Sequence, residues 1–424
     1  MNSPLPEPKP GWRMAVRWML WLAPLVLLAG SASAFFLWSL DAVTRARFDH
    51  PWLLWCLPLA GWATAAIYQR WGGRGKGGNN TVLEAIHDED ETIPRRMAPL
   101  ILFSTIATHL CGGSAGREGT AVQMGGSFSA WVARWFRVAP DRRRVLHMAG
   151  MAAGFGAVFG TPWAGALFAM EVPVAGRIQW RGWLPCGIAA WAGDWVCRAW
   201  GITHGPWPEL TMAVGPWHKG GILPDLWMVA KIAFAAAIFG SMARIFTRAL
   251  HGAGRGFARM LPAPGTRAFV GGLLVIALTS LLGTRAYLGL GTWSPDPSHP
   301  VIAGFFNDES THPWAWFWKA IFTVVTLAAG FKGGEVTPLF FIGAGLGHAL
   351  AGPFGVPVEL FAACGLLAVF AAAARAPWAC AVLGVELFGL PQAPAFVLVA
   401  VLAARVAGRT GLYSAQREAI AAKT

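Results

Sequence analysis

The sequence predicts an all-α polytopic membrane protein, and three observations lead to this class. Hydrophobic residues make up 55% of the 424 residues and charged residues only 13%, about half the share found in soluble globular proteins. Apolar segments follow one another along the whole chain, whose mean hydropathy is +0.48. The second half of the chain repeats parts of the first. Glycine and proline are frequent but follow no fixed period, which excludes collagen and low-complexity disorder.

The net charge of +13 has two explanations, a nucleic-acid partner or an orientation signal in the membrane. The arginines lie in short loops between apolar segments, which is the distribution that the positive-inside rule describes. We therefore predict that the basic surplus sets the orientation and that no nucleic acid binds.

The six cysteines lie in apolar stretches, without a C-x-x-C pair and without a histidine at ligand spacing. Such cysteines are typical of small buried hydrophobic residues. We expect no disulfide, no metal site and no cofactor.

The first apolar stretch, residues 12–40, is preceded by basic residues and contains small residues near its end, as in a signal peptide. It is long enough to cross a bilayer, so we expect an uncleaved first membrane helix. In order, the apolar segments are 12–40, 51–69, 97–111, 119–136, 145–159, 161–175, 182–200, 222–247, 268–290, 313–330, 337–351, 357–374, 376–390 and 392–407. Several are shorter than the roughly 20 residues that a straight spanning helix needs.

Glycine-rich stretches interrupt the short segments at 72–78, 112–116 and 330–334. Irregular backbone is tolerated at membrane depth only where protein buries it or where it lines an aqueous cavity. The breaks therefore predict discontinuous helices around an internal site. Helix starts that converge there would present unpaired N–H groups and positive dipole ends, so we predict an anionic substrate.

The repeat is clearest between residues 150–171 and 365–386, which match in nine positions, including Pro-Trp-Ala and the final glutamate. Upstream of each copy lies a second matching element, at 116–120 and 333–337. Repeated halves with paired, glycine-interrupted segments are typical of secondary transporters whose site lies at the repeat interface. The match itself does not tell whether the halves are inverted.

These features divide the chain into four parts. We predict an N-terminal tail (1–11), a first membrane repeat (12–215), a second membrane repeat (216–410) and a C-terminal cytoplasmic helix (411–424).

Two glutamates stand at predicted helix starts inside apolar segments. Glu118 can occupy the anion site while ionised and leave it when protonated, which makes it a candidate gate and proton carrier; alternatively it only complements the helix dipole. Glu335 is its repeat partner and either faces the substrate path or caps backbone amides.

Three further side chains are candidates for contact with the anion. Asn79 and Asn80 open a third helix, either as caps or as amide donors. Tyr413 follows the last apolar segment, and its hydroxyl either donates to the anion or anchors the chain at the membrane interface.

The segments Gly116-Arg117-Glu118-Gly119-Thr120 and 152–171 resemble the signatures of the CLC family of chloride channels and proton-coupled anion antiporters. The resemblance runs from about residue 12 to 424. It implies a homodimer of all-helical subunits, each with two inverted-topology repeats, broken helices and its own anion pathway.

Three departures from the chloride-handling pattern resemble the fluoride/proton antiporter branch of the family. The chain has Asn79-Asn80 where Gly-Ser-Gly-Ile-Pro is expected, Thr120 where proline is usual, and Glu335 in the third signature. The position of the inner proton-transfer glutamate of chloride antiporters aligns with Val172.

The resemblance also implies residue roles. Glu118 would be the gating and proton-carrying glutamate, and Tyr413 the inner anion-coordinating tyrosine. Val336 and Thr337 would supply amides to the anion, and Glu335 would be a branch-specific pathway residue. Asn79 and Asn80 would shape selectivity.

The function implied is proton-coupled export of fluoride across a bacterial cytoplasmic membrane, with fluoride, protons, membrane lipid and a second copy of the chain as partners. One alternative is a chloride channel or chloride/proton antiporter of the same family. A second is a membrane-embedded prenyl-diphosphate transferase that uses Asn79, Asn80 and the acidic run 88–91 with magnesium.

Overall fold

The computed structural model describes residues 11–88, 92–205, 207, 210, 226–307 and 312–419. Within these residues the chain forms fifteen α-helices, five short 3-10 helices and two short strands. The helices are α1 (Trp12–Asp49), α2 (Leu57–Trp71), α3 (Asn79–His87), α4 (Met97–Leu110), α5 (Glu118–Trp135), α6 (Pro140–Phe159), α7 (Pro162–Glu171), α8 (Trp183–Ala199), α9 (Leu226–Met260), α10 (Pro264–Leu282), α11 (Ala315–Ala328), α12 (Val336–Phe354), α13 (Val358–Ala374), α14 (Pro377–Phe388) and α15 (Ala393–Ala407). Strands β1 (Val174–Ala175) and β2 (Arg417–Glu418) form a parallel pair.

Long helices alternate with helices too short to cross a bilayer. Five stretches are long and apolar enough to span, namely α1, α9, α10, α12 and the stretch Leu390–Ala407 that contains α15. By contrast α3 has 9 residues and α7 has 10. The three glycine-rich breaks fall between α2 and α3, α4 and α5, and α11 and α12, so the prediction of discontinuous helices is confirmed.

Two helices are longer than the apolar segments that predicted them. Helix α1 continues beyond residue 40 to Asp49, and α9 continues beyond residue 247 to Met260. A helix needs no apolar surroundings to continue, because its backbone hydrogen bonds are internal. Helix α1 packs against α6 and α8, so the first apolar stretch is part of the core.

The C-terminal helix expected over 411–424 is wrong within 411–419, where the chain forms a turn and β2, while 420–424 lie outside the described residues. The chain is extended there because the amide of Arg417 donates to the carbonyl of Pro173, beside β1. The boundary between the repeats at 215 and 216, the tail up to residue 10, and residues 89–91 of the acidic run also lie outside the described residues.

Paired glycines set the closest helix contacts. The backbone of Gly125 in α5 meets that of Gly150 in α6, and Gly343 in α12 meets Gly365 in α13. A Cβ atom at any of these positions would overlap the facing backbone, so the glycines permit the close approach. The same helix pair recurs in each half, which shows that the sequence repeat is also a repeat of packing.

Each half also caps a helix of the other half. Glu171, at the end of α7, accepts hydrogen bonds of 3.1 and 2.7 Å from two successive amides in the first turn of α14. Glu386, its repeat partner in α14, accepts bonds of 3.0 and 2.7 Å from two amides in the first turn of α7. This reciprocal exchange is what a pseudo-two-fold relation between the halves produces.

We place the starts of α1 and α10 and the end of α2, which all carry basic side chains, at one face of the helical bundle. Arg13 and Arg17 lie near the start of α1, and Lys76, just after α2, lines the same cavity as Arg267, near the start of α10. Helix α1 leads away from this face and α2 returns to it. By the positive-inside rule, we infer that this face is cytoplasmic.

Candidate functional site

Two of the glycine-rich breaks meet in the middle of the protein. Gly116 and Gly334 form an antiparallel bridge, with N–H to carbonyl distances of 2.6 and 2.8 Å. A Cβ on Gly116 would stand 2.9 Å from the carbonyl oxygen of Gly334 and from the Pro338 ring, so glycine is required for this approach. The bridge places the starts of α5 and α12 opposite each other.

Glu118, the first residue of α5, reaches across this junction and is 1% exposed. Its Oε2 accepts hydrogen bonds from the Thr337 amide at 3.0 Å, the Thr337 hydroxyl at 2.5 Å and the Arg117 amide at 3.2 Å. The Arg117 guanidinium lies 3.4 Å from Oε1. Most of the donors are therefore backbone amides and a hydroxyl, which is how a helix start binds an anion.

Gly119 leaves a small space beside Glu118. A Cβ at this position would stand 3.1 Å from the Asn79 amide nitrogen and 3.6 Å from the Oε2 atom of Glu335. The start of α3 thus joins the starts of α5 and α12 around Gly119, as the three breaks predicted. The Asn79 amide and the Glu335 carboxylate therefore meet beside Gly119, next in sequence to Glu118. We call this junction of three helix starts the central chamber.

Two polar atoms of the chamber lack a protein partner. The Oδ1 atom of Asn79 and the Oε2 atom of Glu335 are buried and accept no hydrogen bond from any described residue. Neither side chain caps its own helix: Gly78, at φ +61°, is the N-cap of α3, and the side chain of Glu335 makes no cap hydrogen bond to α12. Neither Asn79 nor Glu335 therefore makes the side-chain hydrogen bond that would cap its own helix. Buried acceptor oxygens without donors are expected where a proton or a water molecule binds.

Asn80, in α3, binds the C-terminal segment that carries Tyr413. The Oδ1 atom of Asn80 accepts a hydrogen bond of 3.0 Å from the Ala415 amide, which fixes the turn that carries Tyr413. Tyr413 is only 8% exposed, which contradicts the role of an interfacial anchor. Glu335 and Glu118 lie within electrostatic range of its hydroxyl.

Val336 is the predicted site residue for which no contact with Glu118 is found. It is 2% exposed at the start of α12, but among the described amides of this helix only that of Thr337 donates to Glu118. Val172 is also buried, and its carbonyl accepts a hydrogen bond of 2.9 Å from the Gln416 amide group.

Two buried basic side chains bind carbonyl groups of irregular backbone. The two ring nitrogens of His109 contact the carbonyl oxygens of Thr105 and Ala115 at 2.8 and 3.1 Å, which fixes the turn before Glu118. Lys319, fully buried in α11, donates to the carbonyls of Tyr287 and Gly289 at 3.2 and 2.6 Å. Sequence reasoning assigned no role to this lysine, although a lysine inside an apolar helix is itself a signal.

Comparison with known proteins shows the family to which the chain belongs. A family model described as voltage gated chloride channel matches residues 56–409. The chain is 41% identical over 402 residues to a chloride/fluoride channel protein of Pseudomonas syringae pv. tomato, covering 95% of this chain and 86% of the relative. It is 28% identical over 302 residues to an H(+)/Cl(-) exchange transporter of Vibrio parahaemolyticus, covering 66% of this chain and 60% of the relative.

Solved structures show the same fold. A crystal structure of a CLC-type fluoride/proton antiporter superposes with a TM-score of 0.89 at 32% identity, covering 96% of this chain and 100% of that one. A slow cyanobacterial Cl-/H+ antiporter superposes with a TM-score of 0.76 at 21% identity, covering 92% and 94%. The predicted fold class, an all-helical CLC-type membrane protein with inverted repeats and broken helices, is confirmed. The chain belongs to the voltage-gated chloride channel family.

Proposed function

We propose that this chain is a proton-coupled antiporter that exports fluoride across the cytoplasmic membrane of a bacterium as protons enter. The observation that carries the proposal is the position of the Glu118 carboxylate, which accepts hydrogen bonds from the Arg117 and Thr337 amides and the Thr337 hydroxyl. These donors suit any small anion. An anion can replace the carboxylate only after the carboxylate loses its charge, so anion entry is tied to uptake of a proton.

The donors favour fluoride over larger anions. Fluoride is small and strongly hydrated, so its dehydration must be offset by short, strong hydrogen bonds. The Thr337 amide and hydroxyl, which contact the Glu118 carboxylate, and the Asn79 amide nitrogen, beside Gly119, are donors of this kind. Neutral donors also release the ion faster than a cage of lysines and arginines would.

Glu335 supplies the second carboxylate that proton transfer needs. It lies across Gly119 from the Asn79 amide, and its Oε2 accepts no hydrogen bond from a described residue. Position 172 holds a valine, so we place the inner proton step on Glu335. Tyr413 completes the inner side of the chamber and donates to the departing or arriving anion.

The descriptions of two relatives support fluoride as the substrate. The Pseudomonas syringae relative is described as a chloride/fluoride channel protein and the 32% identical structure as a fluoride/proton antiporter. The more distant Vibrio relative, described as an H(+)/Cl(-) exchange transporter, makes chloride exchange the alternative to be tested. Because the chain belongs to a family of channels and transporters, a prenyl-transferase activity has no support. By the same likeness we infer a homodimer surrounded by lipid.

The test is a flux assay on purified protein in liposomes, read with a fluoride electrode and a pH electrode. We expect fluoride and protons to move in opposite directions at a fixed ratio, and chloride to drive little proton movement. The Glu118→Gln variant should lose proton movement, because a glutamine cannot carry the proton. The matched control Glu84→Gln changes an exposed carboxylate of α3 and should behave as wild type. Chloride-driven proton flux equal to that with fluoride would reject fluoride specificity.

A further inference from the structure

A second, separate cavity opens near the cytoplasmic ends of α2 and α10. It has a volume of about 210 Å³ and lies between these two helices and the break before α12. Its lining includes three basic side chains, Lys76, Arg267 and Lys332, and the ring of Tyr68. Among the described residues, no aspartate or glutamate lines it. The charged side chains that line the cavity are therefore all positive.

The three cations have no ion-pair partner among the described residues. The Nε atom of Arg267 is buried and donates to no described acceptor. Lys332 lies with its ammonium group 4.4 Å from the centre of the Tyr68 ring. Lys76 is exposed and Arg267 and Lys332 are half-buried. An anion between these three side chains would offset the mutual repulsion of their like charges.

The cavity lies close to the central chamber, both along the chain and electrostatically. Lys332 is separated from Glu335 only by Gly333 and Gly334, in the break that bridges to Gly116. Arg267, Lys76 and Glu335 all lie within electrostatic range of the Lys332 ammonium group. An anion held here is therefore next to the backbone that leads to Glu335.

We propose that Lys76, Arg267 and Lys332 form a capture site that binds fluoride from the cytoplasm before it enters the central chamber. This inference rests on the proposed function and adds a loading site to it. Clustered charges at a pore mouth raise the local concentration of the counter-ion and its association rate. The central donors are uncharged apart from Arg117, so they cannot provide this long-range attraction, whereas three cations at the mouth can.

The same chemistry also suits the phosphate of an anionic lipid headgroup, because basic pockets between helices at the cytoplasmic face bind such groups. We favour fluoride because Lys332 belongs to the break that forms the chamber, and because Tyr68, which lies under its ammonium group, is only 6% exposed. The choice of lipid in the assay separates the two sources.

The experiment measures fluoride-driven proton flux against fluoride concentration in liposomes of phosphatidylcholine alone and of phosphatidylcholine with phosphatidylglycerol. For Lys332→Gln and for Arg267→Gln we expect the apparent KM for fluoride to rise about threefold to tenfold, in both lipids. The fluoride-to-proton ratio should stay at the wild-type value, because it is set in the central chamber. Raising the ionic strength from about 20 to about 300 mM should raise the KM of the wild type, and it should raise the KM of the variants less. The control Lys231→Gln alters a lysine that lines a different cavity and should not change the KM.

The outcomes separate the two proposals. Absence of coupled flux in the wild type would reject the proposed function itself. Coupled wild-type flux with an unchanged KM in both variants would reject the capture site alone. A wild-type requirement for phosphatidylglycerol that both variants abolish would instead assign the cavity to a lipid headgroup. Should Arg267→Gln fail to fold, Lys332→Gln, in a loop outside the helices, still decides the question.

Discussion

Thr337→Val removes one hydroxyl from the central site and tests how Glu118 is held. Valine keeps the β-branched shape, so the first turn of α12 is preserved. The lost hydroxyl donates to Oε2 at 2.5 Å, and that oxygen keeps the Thr337 and Arg117 amides as donors. A hydrogen bond to a charged group contributes about 1.5–3 kcal/mol. The ionised, site-filling state should therefore be weakened by roughly 10- to 100-fold relative to the open state.

A gate that closes less tightly should let fluoride pass without a proton. In liposomes read with both electrodes, we expect the ratio of fluoride to protons moved by Thr337→Val to rise above the wild-type ratio. The matched control is Thr279→Val, which removes a buried hydroxyl that bonds only a carbonyl of its own helix, α10. A wild-type ratio and wild-type turnover in well-folded Thr337→Val would refute the claim that this hydroxyl holds the gate.

Three further predictions concern the chamber, the repeat and the C-terminal segment. Gly119→Ala should lower fluoride turnover without loss of folded protein, because the added methyl group would stand 3.1 Å from the Asn79 amide; initial flux at saturating fluoride measures this. Glu171→Gln and Glu386→Gln should each lower stability by about 1–2 kcal/mol, because each weakens the cap on a helix start, and the midpoint of thermal unfolding measures this. Glu418→Gln should speed hydrogen exchange of residues 411–419, because the carboxylate accepts bonds of 2.7 and 2.9 Å from Arg375. Those bonds hold the pKa of Glu418 below its ordinary 4.5, so the tether is complete above pH 4.5 and is lost as pH falls through the lowered value.

Each of these predictions has an outcome that contradicts it. The control for Gly119→Ala is Gly187→Ala, where an added methyl group meets nothing within 4 Å; equal effects of the two would show that the chamber is not narrow. Very different effects of Glu171→Gln and Glu386→Gln would contradict the equivalence of the two caps. Unchanged exchange in Glu418→Gln would show that β2 is held by its backbone pairing with β1 alone.

The discontinuous helices could be predicted because glycine-rich breaks are a local property of the sequence. Glu118 could be found for a similar reason, since an ionisable residue at a helix start within an apolar segment is costly unless it is used. The partners of Glu118 could not be found this way. Its main donor, Thr337, lies 219 residues away, and only the bridge between the two breaks makes them neighbours.

The two asparagines show the same limit. The sequence presents them as a pair at the start of α3, and either could cap the helix or face the anion. In the folded chain the Asn79 amide faces Gly119, whereas Asn80 binds the Ala415 amide. Successive residues of a helix point about 100° apart, so one side chain enters the chamber and the next meets the C-terminal segment.

The turns that follow α6 and α13 show the same limit of prediction from the sequence. Gly160 and Arg375 occupy equivalent positions, and both have left-handed backbone, with φ of +72° and +54°. A glycine adopts this conformation without strain, while an arginine must be held there by its surroundings. Arg375 is held by its bidentate contact with Glu418.

The sequence alone predicted the membrane class, the breaks, the repeat and the anionic substrate, because apolar length, glycine content and the spacing of equivalent residues are properties of the chain itself. Only the tertiary structure decided which donors surround Glu118, which asparagine faces the chamber and that three cations share a cavity, because those contacts join residues that are distant in the chain.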